Sequence, residues 1–144
     1  MLNLSSAPLQ QLRDEFEADG AIAAVYLFGS VARGTATGMS DVDIGILFHS
    51  SIDASRYFDL RLEYLSRIMT ILRTEKMDVV ILNQAPLHLS YEVVSHGNLL
   101  IDRDPRQRAA FEANRIGRYL DFKPFLAVHV RAAKENLAKG TYFD

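Results

Sequence analysis

The spacing of apolar and polar positions changes along the chain in an order that outlines its elements. Leu9, Leu12 and Phe16 recur at helical spacing with Asp14, Glu15 and Glu17 on the other side, and Pro8 follows Ser5-Ser6 where an early helix residue belongs. A first helix is therefore predicted, closed by Asp19-Gly20. Ala21 to Phe28 is an unbroken apolar run of strand length. Gly29 to Ser40 is rich in Gly, Ser and Thr and reads as a loop or short helical turn. Asp41 to Phe48 is a second strand, apolar on both faces apart from its two aspartates, which is the pattern of a central strand. Ser55 to Leu72 predicts an amphipathic helix with Phe58, Leu62, Leu65, Ile68, Met69 and Leu72 on its inward side. Met77 to Leu82 is a third strand, Pro86 to Ser95 a shorter helix ended by His96-Gly97, and Asn98 to Ile101 a short strand. Asp104-Pro105-Arg106-Gln107 then carries a helix-start signature: Asp as N-cap, Pro at the first helical position, Gln three residues after the cap. That last helix is expected to run to about Lys139, with a bend or break near Pro124.

Elements in this order predict a small α/β (α+β) domain, a mixed sheet flanked by helices, with a core over about 5–101 and a C-terminal helical segment over about 104–139. A chain of 144 residues is enough for one domain. The helix between the second and third strands makes those strands parallel if they are neighbours. If the first two strands pair antiparallel, the end of the first and the starts of the other two meet at one edge of the sheet. Gly29, Ser30, Asp41, Asp43 and Asp78 would then share that edge.

Composition narrows the chemistry. Hydrophobic residues make up 49% of the chain, so it should fold. A net charge of −2 makes no overall electrostatic case for nucleic acid. From Asp102 onward, though, nine Lys/Arg stand against six Asp/Glu, and Arg103 to Arg118 holds five arginines that either meet a partner or nucleotide or form a solvated face. The absence of cysteine excludes disulfides, thiolate zinc sites and a cysteine nucleophile. No apolar run approaches the roughly 20 residues of a membrane span, and Met1 to Ser6 lacks the basic start and apolar core of a signal peptide. A soluble, cytoplasmic protein is expected. His49, His88, His96 and His129 show no ligand spacing, and Glu63 and Arg67 stand at the spacing of a helix-surface ion pair.

Asp41 and Asp43, two apart on a strand, point to one face, where two carboxylates repel unless a cation or proton lies between them. Oxygen ligands of this kind suit magnesium with substrate phosphates. An isolated Asp-x-Asp is more often an exposed pair near a turn. Here Ile44, Gly45, Ile46 and Leu47 make it open a core strand, and Asp78 opens another. Gly29 lets the backbone approach a ligand, and Ser30 offers a hydroxyl and an N–H where a helical turn begins. Arg33 has two equal readings, on a phosphate oxygen or on a nearby acid. Gly29-x-x-x-x-Gly34-Thr35 lacks the lysine of a P-loop, and the dinucleotide-binding glycine pattern is absent.

The pattern Gly29-Ser30, ten residues, Asp41-Val42-Asp43, with Asp78 on a later strand, resembles the nucleotidyltransferase superfamily that includes DNA polymerase β, and the chain's length resembles its minimal (MNT) members. The resemblance covers most of residues 5–101. It implies a polymerase β palm-like fold, Gly29 and Ser30 as the phosphate-binding pair, and Asp41, Asp43 and Asp78 as catalytic carboxylates binding two Mg2+ ions, with ATP as substrate. Minimal members commonly stand beside a small HEPN-type toxin, and some transfer AMP to a tyrosine of that partner. The resemblance thus implies an antitoxin that is a protein adenylyltransferase. Two alternatives stand beside it: an antitoxin that neutralises by binding alone, and a nucleotidyltransferase acting on a small molecule such as an aminoglycoside.

Overall fold

A computed structural model of the protein describes residues 6–29 and 41–138. The elements are α1 (Ala7–Phe16), β1 (Ile22–Phe28), β2 (Val42–Phe48), α2 (Tyr57–Leu72), β3 (Met77–Ile81), α3 (Leu87–His96), β4 (Asn98–Asp102) and α4 (Pro105–Ala138), with single 3-10 turns at Ala54–Arg56 and Leu82–Gln84. The four strands form one mixed sheet in the order β3-β2-β1-β4. β1 runs antiparallel to β2 and to β4, and β2 runs parallel to β3.

The two central strands are buried along both faces, which is why their sequences read as continuous apolar runs. Every residue of β1 is buried, and in β2 only Asp43 departs from full burial. One face of the sheet packs Leu27, Ile44, Ile46, Phe48 and Val79 against α1 and α2. Leu9, Leu12 and Phe16 supply the α1 side, as their spacing predicts, and each is fully buried. Burying Phe16 contributes about 1.5–3 kcal/mol relative to exposure. Its ring also meets Tyr64 edge-on at 5.4 Å. The other face packs Ala24, Tyr26, Phe28 and Leu47 against Val93 of α3. Gly45 belongs to that face, where a Cβ would press on Val93 and Leu82.

Several expectations shift by a turn or a residue. β2 begins at Val42, so Asp41 stands just outside the ladder. The helix expected from Ser55 starts at Tyr57, because Asp53 caps a 3-10 turn there through Ser55 N–H. The stripe predicted to face inward on α2 is rotated. Ile68 and Leu72 are buried as predicted, but Phe58 and Leu62 are exposed, and Leu60, Tyr64 and Ile71 complete the buried face. The aromatic cluster decides this: Tyr64 lies against both Phe16 and Phe48, and its hydroxyl donates to Asp19 at 2.5 Å. Arg67 bonds Glu15 at 2.9 Å and approaches Glu63 only to 3.6 Å, so the expected helix-surface pair is secondary to a bridge between α1 and α2.

α4 is one continuous helix of 34 residues, about 51 Å long, with Pro124 inside it, so the expected break does not occur. It starts where its sequence predicts: Asp104 Oδ1 accepts the Gln107 N–H at 3.1 Å. Gln107 then bonds Phe48 O and Ser50 N–H, and Glu112 accepts the Tyr26 hydroxyl at 2.6 Å. These contacts seat the first turns of α4 along β1. No helix among the described residues is long and apolar enough to cross a membrane.

Candidate functional site

Strand pairing brings the chemically marked positions together. Phe28 of β1 is the register partner of Asp43 in β2, and Asp43 is the register partner of Asp78 in β3. Register partners on neighbouring strands point to the same face. Phe28 belongs to the face covered by α3. Asp43 and Asp78 therefore open onto that face, at the edge where β1 ends and β2 and β3 begin. The helix between β2 and β3 dictates this edge, because it returns the chain to the start of a parallel neighbour.

Gly29 stands directly after β1 with φ +78°, a conformation that favours glycine. A Cβ built there would overlap the Asp43 carboxylate, so the absent side chain leaves a cradle for that carboxylate against the backbone. Asp41 is exposed, Asp43 is partly buried, and Asp78 is exposed. Ser30 and Arg33 lie outside the described residues.

The carboxylates do not stand alike. Asp78 Oδ1 accepts from the Arg61 guanidinium at 2.6 Å and from the Val79 N–H at 2.8 Å. Arg61 also donates through Nε to the Val79 carbonyl at 2.8 Å. Among the described residues no three His, Asp or Glu side chains gather closely enough to hold one metal ion. Asp41 and Asp43 carry oxygen donors of the kind a hard divalent cation takes, and the Asp43 carboxylate lies against the backbone of Gly29. Asp78 is the register neighbour of Asp43 but is turned to Arg61.

Arg61, the partner of Asp78, is the residue at this edge that sequence reasoning missed. Its partners lie 17 and 18 residues away, and no local pattern marks an arginine on a helix as reaching across to the following strand. Two of the five arginines from Arg103 to Arg118 take structural roles. Arg103 donates to the carbonyls of Glu17, Asp19 and Ile22, and Arg108 forks onto Asp102 with both contacts at 3.1 Å. His49 joins Asp104 at 3.3 Å at the opposite end of the sheet, away from the carboxylates.

Comparisons with known proteins follow this geometry. Residues 10–106 match the family model described as Polymerase beta, Nucleotidyltransferase. A Methanocaldococcus jannaschii protein, provisionally named a protein adenylyltransferase, is 31% identical over 75 residues, which span 52% of this chain and 81% of that protein. A chain of a toxin–antitoxin crystal structure with AMP-PNP superposes at a TM-score of 0.69 and 22% identity, covering 88% of this chain and 98% of the other. A chain from the structure of tri-AMPylated Shewanella oneidensis HEPN toxin in complex with MNT antitoxin gives 0.63 at 20% identity, covering 87% and 94%. At these identities the structural likeness establishes the fold.

Proposed function

The chain belongs to the polymerase β nucleotidyltransferase family, and from that premise we propose that it transfers AMP from ATP to a tyrosine hydroxyl of a HEPN-type toxin, and so acts as its antitoxin. The observation that carries the reading is the register Phe28–Asp43–Asp78 across three neighbouring strands, with Gly29 backed against Asp43. The adenylyltransferase name of one relative and the tri-AMPylated toxin beside another support the choice of AMP and of a protein acceptor.

In this reading Ser30 and the N–H groups after Gly29 hold the β- and γ-phosphates, with Arg33 beside them. Asp41, Asp43 and Asp78 are the catalytic carboxylates, and Asp41 and Asp43 are the principal ligands for Mg2+. Two such ions, when bound, neutralise the triphosphate and the charge that develops on it. The acceptor hydroxyl oxygen attacks the α-phosphorus, and the bond from that phosphorus to the α–β bridging oxygen breaks. Pyrophosphate leaves with the electron pair, and Asp78 takes the hydroxyl proton. Orientation of the two reactants and charge neutralisation carry most of the acceleration.

The test is mass spectrometry of the HEPN-type partner after incubation with this protein, ATP and Mg2+. A gain of one or more AMP units is expected, lost in the Asp41→Asn/Asp43→Asn double variant while the circular dichroism spectrum is kept. Undiminished transfer by the double variant would remove the carboxylate assignment. A double variant that transfers nothing yet still neutralises the toxin would favour neutralisation by binding alone, the reading suggested by Asp78 being turned to Arg61.

A further inference from the structure

Among the described residues β3 is an edge strand, bonded only to β2, so its outer row of backbone groups needs cover. The N–H and C=O of one strand residue point to the same side. At Val79 both are met by side chains: the N–H by Asp78 Oδ1 and the carbonyl by Arg61 Nε. Arg61 closes the ring with its second contact, to the same Asp78 Oδ1. Oδ1 therefore accepts two hydrogen bonds, while Oδ2 accepts none from the described residues.

We propose that Arg61 is a positioning residue that clamps Asp78 by one oxygen, so that Oδ2 is the oxygen Asp78 offers to the transfer site. The inference rests on reading Asp78 as part of that site. An ion pair between side chains left 33% and 56% exposed would be weak by itself. Here the guanidinium is anchored to Val79 O independently of the carboxylate. Its helix is fixed as well, since Leu60 and Tyr64 on either side of Arg61 are buried in the core. The arginine comes from the helix on one face of the sheet and meets, around the open edge, a carboxylate register-paired with Asp43 on the other face. A two-point anchor of this kind holds a carboxylate in one rotamer, and a planar fork does so where a lysine, a point charge, does not. The clamp also gives Asp78 a role distinct from Asp41 and Asp43: one oxygen stays on Arg61 and Val79, and the other, unengaged among the described residues, takes the acceptor proton or a cation.

The experiment follows the Arg61 Nη2–H signal, the donor to Asp78, in the cooled 15N-labelled whole chain, assigned by its loss in Arg61→Lys. A slowly exchanging signal is expected in the free protein, retained on saturation with Mg2+ and AMP-PNP. Loss of protection on adding Mg2+ and AMP-PNP, or no protected signal in the free protein, would overturn the clamp. The second reading is steady-state AMP transfer. Arg61→Ala and Arg61→Lys should each lower kcat by about 10- to 100-fold, as supporting contacts of catalytic ligands do, with the KM for ATP and the melting temperature of the lysine variant near wild type. A wild-type kcat in either variant, or a change confined to KM, would overturn it. A wild-type protein that transfers no AMP would remove the proposed function, and the resonance would still decide whether Arg61 clamps Asp78.

Discussion

Replacing Gly29 by alanine perturbs backbone and site together, and the two effects can be separated. Gly29 has φ +78°, where a residue with a Cβ is less stable by about 1–2 kcal/mol. The new methyl would also overlap the Asp43 carboxylate, so either that side chain or the end of β1 must move. The conformational cost alone predicts a melting temperature lower by roughly 3–8 °C for a domain of this size. Asn tolerates the left-handed region far better than Ala but carries the same Cβ. Gly29→Asn should therefore recover most of the lost stability and none of the lost Mg2+-dependent nucleotide binding. The assay is urea unfolding for stability and calorimetric titration with AMP-PNP and Mg2+ for the site, on wild type and both variants. If alanine unfolds at the wild-type urea midpoint, the strained backbone is refuted. If either variant binds nucleotide as wild type does, the close approach of Gly29 to Asp43 has no part in the site.

Two further predictions concern the scaffold. The hydroxyls of Tyr26 and Tyr64 donate to Glu112 and Asp19, and burial first, then those carboxylate partners, hold both phenols above the ordinary 10.0. The unfolded chain releases these protons near pH 10 while the folded chain keeps them, so the unfolded state binds fewer protons. Stability is therefore full below about pH 10 and falls above it by up to about 1.4 kcal/mol per pH unit for each tyrosine. Tyr26→Phe and Tyr64→Phe should each flatten that decline in urea titrations, and an unchanged slope in both would sink the assignment. Asp104 caps α4 through Gln107 N–H and pairs with His49, so Asp104→Ala should cost about 1 kcal/mol while Asp104→Asn, which keeps a capping oxygen, stays near wild type. An equal loss in both variants would place the effect in the His49 pair instead.

Much of the fold was legible because its signals are local. The spacing of Leu9, Leu12 and Phe16, the apolar runs of β1 and β2, and the Asp104 cap each depend on a few adjacent residues. The orientation of α2 was not legible. Ile68 and Leu72 of the predicted inward set are buried, but helical periodicity alone does not choose between Phe58–Leu62 and Leu60–Tyr64 for the rest of the face. Contact with Phe16 and Phe48, from two other elements, selects the second. Pro124 predicted a bend or break by a local rule, and α4 runs through it without a break.

The sequence by itself marked the candidates for the chemistry: Gly29 after the first apolar run, Asp41 and Asp43 at the opening of a core strand, and Asp78 at the opening of the next. Their shared edge followed from it only if β1 pairs antiparallel with β2 and β2 neighbours β3, and the strand pairing meets both conditions. Only the tertiary structure decided how the carboxylates differ. Asp43 lies in the cradle left by Gly29, and Asp78 is turned to Arg61 and the exposed edge of β3. That distinction depends on side chains reaching across 14 to 18 positions of sequence, where the position of each partner is fixed by packing and not by any neighbour along the chain.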